Sequence, residues 1–275
     1  MKLSIITINY NNAAGLKKTL DSVAIQTYTD FEHIIVDGAS TDASVDIIRA
    51  YSQSPIANRH KITWLSEPDT GVYNAMNKGI ELAKGEYLLF LNSGDYLIVD
   101  DVLDKVFTHD CYADILCARC NVSDNGKVVW TSNPPKKVTF GILYTVGLAH
   151  QSTFIRRTLF EQLGYYDESF RYNADIEFWY RSIINHASTT QRIDVITTDY
   201  NLEGISSKEN LSSKYIEEKN RILKPYKAFT DDYDIFLRRE HETQLYDWIK
   251  RHSYLHNLLI FLNKVECKLK RIFCK

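Results

Sequence analysis

Residues 86–97 read EYLLFLNSGDYL. Tyr87 to Leu91 is a nearly unbroken apolar run, the pattern of a strand buried on both faces. It stops at Asn92-Ser93-Gly94-Asp95. Those four are ordinary turn residues. They are also the residue types that a site would carry there, because ligands of open α/β sheets bind just beyond the carboxyl ends of the strands. The stretch alone leans towards a turn, and its surroundings change the balance.

Towards the N-terminus the same event repeats. Leu3 to Ile8 is a β-branched apolar run, and Asn11 and Asn12 can cap a helix after it. Leu16, Leu20 and Val23 then recur at helical spacing, with Lys17, Lys18 and Asp21 between them. His33 to Val36 is a second strand that ends at Asp37-Gly38, and Ser40, Thr41 and Asp42 open a helix carrying Val45, Ile48 and Tyr51. Ile62 to Leu65 is a third strand. Val72 to Lys84 is a third helix, closed by Gly85. The order β-α-β-α-β-α-β predicts an α/β fold with a parallel sheet and helices on both faces. Its active edge collects Thr7, Asn9 and Tyr10; Asp37 and Gly38; Glu67, Asp69 and Gly71; and Asn92 to Asp95. Turn chemistry explains each strand end separately, but four polar or acidic ends together point to a site.

The chain has 275 residues, 44% hydrophobic and 25% charged, as expected of a soluble globular protein with a full core. A net charge of −2 excludes electrostatic nucleic-acid binding by the chain as a whole. The start has no signal-peptide pattern and no long apolar span comes after it, so a cytoplasmic protein is expected. The five cysteines suit reduced thiols. Cys117 and Cys120 form a C-x-x-C inside a strand-like run, with neither the second pair of a zinc site nor the helix start of a redox pair; they read as core thiols. Asn121 and Asn210 open acceptor sequons that mean nothing without secretion. No G-x-G-x-x-G follows the first strand and no P-loop is present. A crevice lined with carboxylates binds a diphosphate through a divalent cation, or accepts hydrogen bonds from a base or a sugar.

LSIITINYNNAAGLKKTLDSVAIQTYTDFEHIIVDGASTD (3–42), SEPDTGVYNAMNKGIELAKGEYLLFLNSGD (66–95) and AHQSTFIRRTLFEQLGYYDESFRYNADIEFWYR (149–181) together resemble the inverting nucleotide-sugar glycosyltransferases of family 2, closest to the non-processive enzymes of bacterial surface polysaccharide synthesis. The resemblance implies a GT-A catalytic domain over 1–208, with a nucleotide-sugar-binding half at 1–98 and an acceptor-binding half at 99–208. A helical extension comes next at 209–275. It implies that Asp37 meets a uracil-type base and that Thr7, Asn9 and Tyr10 line the nucleoside. The segment from Glu67 to Asn77, with Asp69 and Gly71, would close over nucleotide and sugar. Asp95, beside Asn92 and Ser93, would hold Mn²⁺ or Mg²⁺ on the diphosphate, and Asp175 would be the catalytic base. The usual Asp-Ser-Asp-Asp is here Asn92-Ser93-Gly94-Asp95, two carboxylates short, which weakens the hold on a hard cation.

The plainer readings stand beside these. Asp175 precedes a helical stretch and suits an N-cap. Glu177 and Asp167 read as structural, and Asp42 as a helix cap. His150 and Gln151 follow a glycine-bearing loop and read either as local hydrogen-bonding residues or as contacts to donor phosphate or acceptor; Lys208, in a loop resembling the family's donor cover, reads as a solvated lysine or as a contact to phosphate. In the tail, 254–275 carries five cations against one anion, a local charge of +4, beside Leu258, Leu262, Val265, Leu269 and Ile272 at helical spacing. That suits an anionic membrane surface, here the inner face of the plasma membrane, and equally a helix docked on the catalytic domain or a second subunit. A membrane contact fits a polyprenyl-linked or saccharide acceptor, and an oligomer is compatible with the same face. Two other functions compete: a sugar nucleotidyltransferase, against which the single glycine of NYNNAAGLKK argues, and a catalytically silent nucleotide-binding module.

Overall fold

The computed structural model describes residues 1–55, 59–124, 126–201 and 213–251. Lys208, Asn210 and the basic segment 254–275 lie outside the described residues. The chain divides into two compact units, Met1–Ile222 and Leu223–Lys275.

The first unit opens with β1 (Leu3–Asn9), α1 (Ala13–Ala24), β2 (Phe31–Asp37), α2 (Ser44–Gln53), β3 (Lys61–Ser66), α3 (Val72–Leu82) and β4 (Tyr87–Phe90). The spatial order is β3-β2-β1-β4, with every pair parallel. All seven residues of β1 and all seven of β2 are buried, as in strands covered on both sides, and the polar ones among them, such as Thr7 and His33, are hydrogen-bonded to one another. Val23 of α1 packs with Leu3 and Ile5. The next residue, Ile6, meets α3 on the opposite face: a Cβ added at Gly79 would lie 2.4 Å from Ile6 Cγ2, so glycine permits that approach. Leu16 and Leu20 of α1 meet Ile48 of α2 over Ile35. Asn12 caps α1 through the Gly15 N–H at 3.1 Å.

The sheet then continues with mixed direction. Next come β5 (Tyr96–Leu97), α4 (Val102–Phe107), β6 (Ile115–Asp124), β7 (Lys127–Thr131) and α5 (Phe140–Thr145). After them come β8 (Thr153–Arg156), α6 (Arg157–Leu163), α7 (Ala174–Trp179), β9 (Thr190–Asn201) and α8 (Ser213–Leu223). Strand β8 runs antiparallel between β4 and β6, β9 is parallel to β6, and β5 closes the order against β9. One core spans both halves, from Leu3, Leu89 and Leu91 to Leu116, Phe154 and Ile193. Phe160 of α6 stacks on Phe178 of α7 at 4.4 Å, and Tyr166 and Phe90 close the cluster, which fixes α7 against β4. Cys117 and Cys120 are buried in β6, and burial pushes their thiols up to about 12 and about 11, far from reactive thiolates.

In the second unit, α9 (Lys227–Arg251) is a charged helix with an i,i+4 pair between Lys227 and Asp231 at 3.0 Å. Among the described residues no helix is long and apolar enough to cross a membrane.

Candidate active site

Parallel register brings the strand ends level: Asn9 pairs with Asp37, and Asp37 with Ser66. Their side chains form one network. Asp37 Oδ1 accepts from Asn9 Nδ2 at 2.7 Å and Ser40 Oγ at 2.6 Å; Oδ2 accepts from the Ser40 N–H at 2.9 Å and Ser66 Oγ at 2.7 Å. Burial alone would push this carboxyl up, but the bonds from Ser40, Ser66 and Asn9 outweigh it and hold it below the ordinary carboxylate value. Ser93 Oγ donates to Asn9 Oδ1 at 2.6 Å, which joins the end of β4 to those of β1 and β2. Asn12 Nδ2 donates to the Ser93 carbonyl.

Thr7 lies two residues short of the strand end. Its hydroxyl is 2.9 Å from His33 Nε2, and the opposite ring nitrogen of His33 is 3.0 Å from the Tyr51 hydroxyl. Thr7 is fully buried in that interior chain. Tyr10 is 67% exposed and stands at the edge itself. It flanks Gly38 together with Asp69: a Cβ at Gly38 would fall 2.5 Å from Asp69 Oδ2 and 3.2 Å from the Tyr10 ring. Asp69 Oδ1 also accepts from the Gly71 N–H. Glu67 is turned to Lys78, at 2.7 Å. Gly71 adopts φ +142°, a backbone state that glycine alone enters readily.

Beyond β4, Gly94 at φ +109° turns the chain and donates its N–H to Thr19 Oγ1 at 2.9 Å. This turn buries Asp95. Burial pushes the Asp95 carboxyl up to about 7, with Asp199 adding to the rise, while His150, Lys18 and an Asn92 backbone hydrogen bond oppose it. A buried carboxylate this close to neutrality is one hard-oxygen ligand awaiting positive charge, so it fits one position of a divalent cation. Among the described residues no cluster of three His, Cys, Asp or Glu side chains surrounds it.

Asp175 sits in the first turn of α7, where Asn173 is the cap position. The Tyr73 hydroxyl donates to Asp175 Oδ1 at 2.9 Å, and His150 Nδ1 lies 3.4 Å from Oδ2. Burial would lower the His150 imidazole, but the Asp175 carboxylate beside it and the charge of Asp95 prevail and raise it. His150 Nε2 is 3.3 Å from the Asn92 amide nitrogen, while the buried Asn92 Oδ1 has no partner among the described residues. Asn92, His150, Asp175 and Tyr73 thus form one chain from the end of β4 to α3. Gln151 is buried beside it in sequence, in the single turn His150–Ser152.

Asn77 is buried and fully engaged. It donates to the Tyr166 carbonyl and to Glu168 and accepts from the Tyr166 N–H. Asn74 donates to Glu168 as well, at 3.0 Å. Helix α3 therefore clasps the segment before α7 with Tyr73, Asn74 and Asn77. Glu177 pairs with Arg181 at 2.8 Å, in a structural role. Asp42 accepts from the Ser44 and Ala13 N–H groups and ties the starts of α1 and α2. Tyr73, Glu168 and Glu218, the last of which accepts from the 171–173 segment, were not singled out in the sequence. Tyr73 lies inside the 67–77 segment and Glu168 inside the 149–181 stretch, whereas Glu218 lies in neither.

The family model of Glycosyl transferase family 2 matches residues 4–173. The chain belongs to glycosyl transferase family 2. A relative from Mycobacterium bovis, named "PGL/p-HBAD biosynthesis glycosyltransferase", is 33% identical over 222 residues, covering 78% of this chain and 82% of its own. An uncharacterized glycosyltransferase from Mycobacterium tuberculosis is 30% identical over 223 residues, covering 78% and 80%. Among solved structures, S. aureus TarS 1–349 in complex with UDP-GlcNAc aligns with TM-score 0.57 and 24% identity, over 73% of this chain and 58% of that one. The mannosyltransferase PcManGT from Pyrobaculum calidifontis, in complex with GDP-Man and Mn²⁺, aligns with TM-score 0.54 and 17% identity, over 71% and 56%. The chain spans less than two thirds of either structure's chain, and the likeness is one of fold: the GT-A arrangement.

Proposed function

We propose that this glycosyltransferase moves a hexosyl or N-acetylhexosaminyl group from a nucleoside-diphosphate sugar, with UDP as the nucleotide, to an acceptor hydroxyl with inversion. The acceptor is a saccharide or polyprenyl-linked saccharide, in bacterial surface polysaccharide synthesis. One observation carries this reading. The Asp175 carboxylate is held between the Tyr73 hydroxyl and His150, and His150 leads directly to Asn92 at the end of β4. A base so placed takes the proton of an acceptor hydroxyl as that oxygen attacks the anomeric carbon. The new C–O bond forms as the bond to the diphosphate breaks on the opposite side, so the configuration inverts. Tyr73 and His150 fix the carboxylate's orientation. Tyr10 and Asp69, flanking Gly38, supply the exposed edge for the nucleoside, while Asp37 and Thr7 support it from inside. Mn²⁺ or Mg²⁺ on Asp95 would neutralise charge on the leaving diphosphate. The nucleotide-sugar complexes of the similar solved structures support this donor class, and the PGL/p-HBAD name of the relatives supports a biosynthetic role. The basic segment 254–275 would hold the enzyme against an anionic membrane surface on its cytoplasmic side.

Asp175→Asn tests the assignment. Transfer is expected to fall by about 10²–10⁴-fold while calorimetric titration of UDP, with and without Mn²⁺, gives wild-type affinity. Normal turnover by the variant removes the base. A catalytically silent module is the second reading, favoured by the missing carboxylates at Asn92 and Gly94; UDP binding without any donor cleavage would establish it.

A further inference from the structure

The three residues before the base-bearing helix are backbone positions with N–H groups to satisfy, and one buried carboxylate satisfies the turn they make. Glu218, on α8, is only 5% exposed. Its Oε1 accepts from the Arg171 N–H at 2.7 Å; its Oε2 accepts from the Tyr172 N–H at 3.0 Å and from Asn173 Nδ2 at 3.3 Å. Asn173 is completely buried and donates also to the Tyr215 carbonyl of α8, at 3.1 Å. One turn further along, Arg221 covers the Phe170 ring at 3.5 Å and donates to Ser169 Oγ at 2.9 Å. From the other side the Tyr73 hydroxyl reaches both the Tyr172 carbonyl, at 2.8 Å, and Asp175 itself. The 169–173 segment is thus gripped by α8 and by α3, and Asp175 lies within the next helical turn. A buried carboxylate is costly unless its oxygens are hydrogen-bonded, so this one is committed to those donors.

We infer that α8 is part of the catalytic apparatus and that Glu218 is the positioning residue for Asp175. This deepens the transferase reading and rests on it. The family match ends at residue 173, so Glu218 lies beyond it. Glu218 touches no reacting atom; it fixes where the α7 start stands, and displacements of about 1 Å at a catalytic group cost up to about 10²-fold in rate. In Glu218→Gln an amide N–H₂ replaces one acceptor and opposes a backbone or side-chain N–H.

The test uses the full chain. UDP release from UDP-sugars is followed for wild type, Glu218→Gln and Ile48→Ala; the last loosens the α1–α2 core and serves as a control for a general loss of stability. Hydrogen exchange is read for peptides covering 166–175. For Glu218→Gln, kcat is expected to fall about tenfold or more, with donor KM and UDP affinity within about twofold of wild type. Exchange should rise at 171–173 and stay unchanged in β1, β2 and β4. Ile48→Ala should lose melting temperature but keep kcat. An unchanged kcat, an equal loss in Ile48→Ala, or unchanged protection at 171–173 overturns the assignment. If wild type releases no UDP from any donor, the transferase reading fails instead, and the exchange at 171–173 still decides whether Glu218 holds the segment.

Discussion

Replacing Asp37 by Asn separates two roles that a strand-end carboxylate can have. Asp37 is fully buried and its two oxygens accept four hydrogen bonds from Asn9, Ser40 and Ser66, the full capacity of a carboxylate. In Asp37→Asn one oxygen becomes a donor, and two of the four contacts then set N–H against N–H or O–H. Serine hydroxyls can rotate to accept, but the Ser40 N–H cannot. With about 1.5 kcal/mol for each lost bond to a charged acceptor, the variant is expected to be about 3 kcal/mol less stable at pH 7. For a unit of this size that is about 6–12 °C in Tm. Ser66→Ala should cost less than Asp37→Asn, and its cost should shrink in the Asp37→Asn background. The effect has a pH signature. Asp37's folded value lies below its unfolded one, so its contribution is complete above the unfolded pKa of about 4 and disappears as pH falls through the folded value. The Tm gap between wild type and variant should therefore be full at pH 7 and close in acid. Thermal melts in the absence of nucleotide, from pH 3 to 8, measure all of this. A Tm within about 2 °C of wild type at pH 7, with loss of UDP affinity alone, would refute the reasoning and make Asp37 a ligand contact.

Asp95 carries the opposite sign. Its folded value is raised to about 7, so ligand-free protein loses stability as pH rises from the unfolded pKa towards 7. Asp95→Asn should raise Tm of the metal-free protein at pH 8 and abolish any Mn²⁺-dependent gain in UDP affinity; a lower Tm at pH 8 would contradict the assignment. In wild type the Mn²⁺-dependent part of UDP binding should strengthen between pH 6 and 8, as calorimetry would report. Gly94→Ala forces a side chain into φ +109° and should cost about 1–3 kcal/mol in urea unfolding, with weakened donor binding because the turn places Asp95.

The α/β repeat of the first ninety residues was legible because each strand is rich in β-branched and apolar residues and the first two helices open at Asn or Ser/Thr/Asp. Expected elements such as the strand over Ile62–Leu65 and the helix over Val72–Lys84 lie within two residues of the observed ones. The mixed order after β4 was not legible. Strand β8 enters between β4 and β6 through pairings distant in sequence, which no local pattern announces. At the site, the converging strand ends could be read from the parallel repeat alone. Thr7 behaves differently from Tyr10 because it lies inside the strand, where Tyr51 and His33 already cover it. Asn77 reads in the sequence as a sugar contact or a solvated helix position; its amide spans to a loop far along the chain. Glu218 was invisible: in a charged amphipathic stretch a carboxylate that will be buried looks the same as one that stays in water.

Helix α3 carries a consequence for anyone recombining these enzymes. Its first residue adjoins the Gly71 turn at the strand-end edge, yet Tyr73, Asn74 and Asn77 all bind residues 166–175. A chimera cut between the two halves near residue 98 would separate these partners while leaving each half's own strands intact. Such a graft should lose turnover as well as stability, unless α3 and the 164–175 stretch are inherited from the same parent.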